Sequence, residues 1–140
     1  MNYDPDNIFA KILRGEIACH KVHEDEATLA FMDVMPQADG HTLVIPKATS
    51  RNLLDADPAT LGPLMASVQK VANAVRRAFD AEGILVKQYN ETAAGQTVYH
   101  LHVHIVPRTA GVELRPHTGK MADHGLLARH AEMIRAALKD

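Results

Sequence analysis

Three histidines alternate with aliphatic residues in the string Val98-Tyr99-His100-Leu101-His102-Val103-His104-Ile105-Val106. On a β-strand successive side chains point to opposite faces. The spacing of two therefore predicts a face carrying His100, His102 and His104, with neighbours about 6.8 Å apart, and an opposite face carrying Leu101, Val103 and Ile105. A buried imidazole needs partners at both nitrogens, which makes a row of three poor core material. A row facing a polar ligand can donate, accept or attack. Coordination of a transition ion is a second reading. It is weakened because neighbouring rings are spread along the strand axis and no CxxC, HExxH or nearby carboxylate cluster completes a shell. A solvent-facing sheet surface is a third reading, and it leaves the run of three a coincidence. Just upstream, Ala93 to Thr97 forms a small-residue turn. Gly95 permits close backbone approach there, so the turn's amides, the Gln96 amide and the Thr97 hydroxyl can hold phosphate oxygens.

The elements that must position these residues are legible as patterns. Asp6 is a candidate cap for a short helix through Ile8, Phe9, Ile12 and Leu13, with Gly15 placed to end it. The stretches KVHE, TLAFMDV and GHTLVIPK predict three strands separated by turn residues. Asp57 followed by Pro58 predicts the start of a long helix, because Leu61, Leu64, Met65, Val68, Val71, Ala72, Val75 and Phe79 recur at helical spacing. Gly62 and Pro63 fall in its first turns and Gly83 lies past its end. ILVKQYN and the histidine string predict two further strands, the second stopped by Pro107. Residues from roughly 123 to 138 predict a last amphipathic helix. Strands joined by short turns with helices between them imply a single α+β domain over residues 1–140, built on an antiparallel sheet.

Composition narrows the partners. The 140 residues suit one domain. Lys plus Arg is 15 against 17 Asp plus Glu, a formal net charge of -2 that offers nucleic-acid phosphates no grip. No uninterrupted apolar run exceeds four residues, the longest being Leu29 to Met32, so neither a membrane span nor a signal-peptide core is expected. The lone Cys19 suits a reducing cytosol.

HLHVHIV fits the pattern HφHφHφφ, φ being apolar. It resembles the signature of the histidine triad superfamily of nucleotide-binding hydrolases and transferases. NIFAKILRGEI, EDEATLAFMDVMPQADGHTLVIPK and NETAAGQTVYHLHVHIVPR follow in the order and approximate spacing of its Hint-like branch. The third histidine favours that branch over relatives ending in glutamine. The resemblance implies a five-stranded antiparallel sheet flanked by helices, joined to a partner's across a homodimer into ten continuous strands. It implies a purine nucleoside 5'-phosphoryl hydrolase, of phosphoramidase or nucleotidyl hydrolase type, requiring no cofactor and no metal.

Carried over residue by residue, the resemblance makes His102 the nucleophile at the α-phosphorus, forming a nucleotidyl-histidine that water then hydrolyses. His100 is expected to orient His102. His104 is expected to contact phosphate oxygens or assist the leaving group, and His41 to support the triad. Asp33 and Val34 match ribose positions; Asn90, Gly95, Gln96 and Thr97 match phosphate-side positions; Ile8, Phe9, Ile17 and Phe31 match the apolar base pocket. Some members hold a structural zinc. At three of its ligand positions this chain carries Asn7, Ala10 and Thr49, so that zinc is expected to be absent. A non-catalytic nucleotide-binding interaction protein and a metal-binding histidine protein remain the alternatives.

Overall fold

The computed structural model describes residues 2–117 and 120–140. Its first helix, α1 (Ile8–Leu13), is capped by Asn7, whose side chain accepts the Ala10 N–H at 2.9 Å. The expected cap, Asp6, is displaced because the Asp4 side chain takes the Asp6 N–H at 2.8 Å and builds a turn ahead of the helix. Gly15, at φ +79°, ends the segment as its position predicts.

Five strands follow the predicted stretches: β1 (Lys21–Glu24), β2 (Thr28–Met32), β3 (Thr42–Pro46), β4 (Gly83–Lys87) and β5 (Val103–Arg108). They form one antiparallel sheet in the order β1-β2-β3-β5-β4. The histidine strand differs from expectation at both ends. His100 and His102 precede β5 rather than lying on it, and Pro107 sits within it. Pro107 is tolerated because β3 pairs with β5 only from Val103 to Ile105, so beyond that point β5 has β4 as its single neighbour.

The long helix, α2 (Leu61–Ala78), also starts later than Asp57 and Pro58 predict. Asp57 caps a 3-10 turn over Pro58–Thr60 instead. Starting the α-helix at Leu61 places Pro63 in its first turn, where a missing N–H costs nothing; a start at Pro58 would strand it in the interior. The last helix, α3 (His124–Leu138), begins as predicted, with the Asp123 carboxylate accepting the Leu126 N–H at 3.0 Å.

The pleat sorts the sheet into two faces. Ala30, Met32, Val44, Val103 and Ile105 pack against Leu64, Val68, Val71 and Val75 of α2 and Leu127 and Ile134 of α3. Leu29, Phe31, Leu43 and Ile45 cover the other face with Phe9 and Ile12 of α1. His104 stands opposite Leu43 and so shares this second, less covered face.

Candidate active site

His100, His102 and His104 are all buried, yet each does something different. His100 is satisfied at both nitrogens. Its Nε2 lies 2.8 Å from the Pro46 carbonyl, which only accepts, so Nε2 carries the proton and Nδ1 accepts the Tyr3 hydroxyl at 2.7 Å. The ring is therefore engaged within the fold and lines neither of the cavities described below. His100 orients His102 through its main chain: His102 Nδ1 donates to the His100 carbonyl at 2.7 Å. That bond fixes the tautomer and leaves Nε2 unprotonated in the neutral ring. Leu101 N–H, donating to the Ser50 carbonyl at 3.0 Å, pins the intervening residue, and the Phe9 ring meets His102 edge-on at 4.9 Å.

A second chain of bonds fixes His104. The Gln37 N–H donates to His41 Nδ1 at 3.0 Å, so the proton of neutral His41 sits on Nε2 and points to His104 Nδ1 at 2.9 Å. His104 consequently carries its proton on Nε2, as a donor. Burial pushes the His41 pKa down to about 4, aided by the charges of His117, Lys87 and Arg115 and opposed by Asp33. Burial likewise lowers His100, His102 and His104, the last also through its imidazole neighbours His102 and His41. His41, His100, His102 and His104 are thus neutral rings in defined tautomers.

Asp33 closes the constellation. Its Oδ1 accepts the Met35 N–H at 2.8 Å and its Oδ2 accepts from His117 Nε2 at 2.6 Å, with His41 Nε2 3.4 Å away. Burial opposes its charge, but the His117 hydrogen bond and the charges of His41 and His117 hold its pKa below the ordinary carboxylate value. Each oxygen keeps a second lone pair that can accept, and the residue, though buried, lines the apolar cavity described below.

Donor atoms of Asp33, His41, His104 and His117 lie within 4.8 Å of one another, a better metal cluster than the alternating row. The tautomers oppose that use. Metal on His41 Nε2 would move its proton to Nδ1, against the Gln37 N–H. The zinc of some histidine triad proteins fits no better, because both His100 nitrogens are engaged and Asn7 caps α1.

Two cavities meet at His102, His104 and His117. One, about 550 Å³, carries the polar groups of Gln37, Lys87, Tyr89 and Thr97 beside Gly95. The other, about 430 Å³, is apolar, with Ile8, Phe9, Ile12, Ile17, Phe31 and Val34, and is rimmed by His20, Met121 and His124. Both are of ligand size. The expected base-pocket residues thus line one cavity, Gly95 lines the other and Thr97 lines both.

Gln96 and Asn90 line neither cavity. The Gln96 amide donates to the Arg51 and Val98 carbonyls and accepts from the Glu91 N–H and Asn52 Nδ2, tying the turn together. Asn90 Oδ1 accepts the Leu53 N–H and the Gln88 amide. Both side chains bond within the loop that joins β4 to the histidine segment. Sequence reasoning missed Lys87, Tyr89 and His117. Lys87 ends β4 and Tyr89 lies two residues beyond it, a spacing that could have flagged them; His117, in an aperiodic segment, carries no comparable signal.

Residues 14–111 match the family described as HIT domain. The adenylylsulfatase HINT3 of Arabidopsis thaliana is 34% identical over 83% of this chain, which spans 62% of that protein's length. Among solved structures, a Hit-like protein involved in cell-cycle regulation from Bartonella henselae is 56% identical, covering 97% of this chain and 99% of its own, with a TM-score of 0.92. A hypothetical histidine triad nucleotide-binding protein from Sulfolobus tokodaii is 32% identical over 94% of this chain and 91% of its own, with a TM-score of 0.85. No helix among the described residues is long and apolar enough to cross a membrane. With its five-stranded antiparallel sheet, its flanking helices and these matches over most of its length, the chain belongs to the HIT family.

Proposed function

We propose that the protein is a purine nucleoside 5'-phosphoryl hydrolase working through a nucleotidyl-histidine on His102. The observation that carries this reading is the bond from His102 Nδ1 to the His100 carbonyl, at 2.7 Å. It leaves Nε2 as the lone-pair nitrogen of a ring that lines both cavities. A neutral imidazole is a competent nucleophile near pH 7. The apolar cavity offers the purine a slot between Phe9, Phe31 and Ile17, and the ribose falls beside Val34 and the remaining lone pairs of Asp33. The α-phosphate then lies where His104 Nε2–H, the Gly95–Thr97 turn and the Lys87 ammonium converge, donors suited to charge developing on its oxygens.

The bond order is simple. Nε2 of His102 attacks phosphorus as the bond to the leaving group breaks; water then attacks the same phosphorus and the N–P bond breaks. The relative named as an adenylylsulfatase supports adenosine 5'-phosphosulfate as a substrate candidate beside adenosine 5'-phosphoramidate and dinucleoside polyphosphates. The reading includes a cytosolic homodimer. The exposed Val86 on the edge strand β4 supports pairing along that edge.

The test compares wild type and His102→Ala on these three substrate classes, with rapid-quench mass spectrometry of the protein. Turnover by wild type only, with a nucleotidyl group recovered on the peptide containing residue 102, is the expected result. Equal turnover by both proteins refutes the reading. Binding without turnover favours a non-catalytic nucleotide-binding role.

A further inference from the structure

His117 lies outside every motif that pointed to the site, yet the fold holds it there. Its segment is fastened on both sides to the 33–41 connection between β2 and β3. Before it, the Arg115 N–H donates to the Gln37 carbonyl at 2.8 Å and the Arg115 guanidinium to Asp39 at 2.8 Å. After it, the Ala122 N–H donates to the Val34 carbonyl at 2.8 Å. Between these ties, His117 Nε2 donates to Asp33 Oδ2 at 2.6 Å, and the Met35 N–H on Oδ1 stops the carboxylate from turning. The ring lines both cavities with His102 and His104, and its side chain is 31% exposed, so solvent reaches it.

An ionised carboxylate only accepts, so the Asp33 bond commits the Nε2 proton of His117 and leaves Nδ1 as the exchanging nitrogen. Nδ1 has no partner among the described residues. An imidazole held at one nitrogen by a carboxylate and open at the other is the arrangement of a general acid and base. The other imidazoles of the site are poorly placed for this work. His102 makes the bond to phosphorus. His104 has one proton, and its other nitrogen accepts from His41; the chain ends at the Gln37 N–H, which has no proton to give. Losing the His104 proton would leave an anionic ring, so His104 donates a hydrogen bond without serving as a proton source.

We propose that His117, backed by Asp33, carries the reaction's proton, giving it to the leaving group and recovering it from water. This rests on the nucleotidyl-transfer reading above. In the first step the His102 Nε2 lone pair forms the N–P bond, the bond from phosphorus to the leaving group breaks with its electrons, and the Nδ1 proton of the His117 imidazolium goes to the leaving atom. In the second step water adds to phosphorus and gives a proton to His117 Nδ1. The N–P bond breaks and its electrons restore neutral His102, so both rings end as they began.

The consequence is a dependence on leaving-group chemistry. An amine must be protonated to depart, whereas sulfate leaves as a stable anion. His117→Gln, which retains an amide donor for Asp33, and His117→Asn are compared with wild type. The substrates are adenosine 5'-phosphoramidate, an adenosine 5'-N-alkyl phosphoramidate and adenosine 5'-phosphosulfate. The expected result is a loss of kcat/KM on the two phosphoramidates of about 10²–10⁴-fold, with kcat/KM on the phosphosulfate within about threefold of wild type. Because kcat/KM ends at leaving-group departure, the slowed second step appears separately, as nucleotidyl-histidine accumulating in quenched phosphosulfate reactions. Equal losses on both classes make His117 structural and overturn the proposal, as does full activity on both. A wild type inert toward all three overturns it together with the nucleotidyl-transfer reading, an outcome that wild-type turnover separates from failure of His117 alone.

Discussion

Acidifying the protein sets its fold against its histidines. His41 titrates at about 4 in the fold against an ordinary 6.5, chiefly because burial disfavours its charge. Between those values the unfolded chain binds a proton that the folded one refuses, so stability falls as pH drops from 6.5 toward 4 and is independent of this group above 6.5. At about 1.4 kcal/mol per pH unit, the full difference for His41 is about 3 kcal/mol. His100, His102 and His104 are lowered by burial in the same direction. Each steepens the slope until its own folded pKa is reached, and four such rings give up to about 5 kcal/mol per pH unit. A domain this size has about 5–15 kcal/mol in total, so cooperative acid unfolding is expected between pH 6 and 4. Urea titrations followed by circular dichroism at half-unit steps from pH 7.5 to 4.5 measure the slope. His41→Asn, whose side-chain oxygen can still accept the Gln37 N–H, is expected to reduce it by about one proton. Ring C–H chemical shifts, followed by NMR, show directly whether His41 stays neutral to pH 5. Stability flat from pH 7 to 5, or an unchanged slope in the variant, refutes the reasoning.

Two substitutions probe the supports of the site. Tyr3→Phe removes the hydroxyl that donates to His100 Nδ1 at 2.7 Å; a loss of about 1 kcal/mol in urea unfolding is expected. Because the His100 carbonyl and not its ring holds His102, kcat on adenosine 5'-phosphoramidate is expected to stay within about threefold of wild type. Gly40→Ala meets a harder obstacle, since Gly40 has φ +93° and an added Cβ would lie 2.7 Å from the Phe79 ring. A loss of about 2–4 kcal/mol is expected from backbone strain and overpacking together, and Phe79→Leu in the same chain is expected to recover part of it in the same unfolding assay.

The parts of the fold that rest on periodic side chains were legible. KVHE is β1 residue for residue, and Asp123 caps α3 where the apolar spacing begins. What escaped were choices made by the main chain. Asp6 and Asn7 are both good caps, and only the Asp4 bond to the Asp6 N–H decides between them. Gln96 is the same letter whether its amide faces a phosphate or ties a turn. His117 could not be placed because its segment is attached through the carbonyls of Gln37 and Val34, and any residue type offers a carbonyl.

The same distinction runs through the chemistry. Alternating histidines say that three rings belong to one short segment, but three equivalent imidazoles cannot divide the labour of attack, donation and support. A main-chain carbonyl makes the His102 Nε2 a lone pair. A main-chain N–H, acting through His41, makes the His104 Nε2 a donor, and a second carbonyl, that of Pro46, engages His100 within the fold. The departure of His100 and His102 from the regular strand follows from this division. On a continuous ladder the His100 carbonyl would point along the sheet toward a neighbouring strand, committed to pairing. Released from the ladder, it is available two residues on, where it sets the tautomer of His102. The irregular start of β5 is thus the feature that gives one of three like residues an unprotonated Nε2 facing the cavities, the atom we propose as the nucleophile.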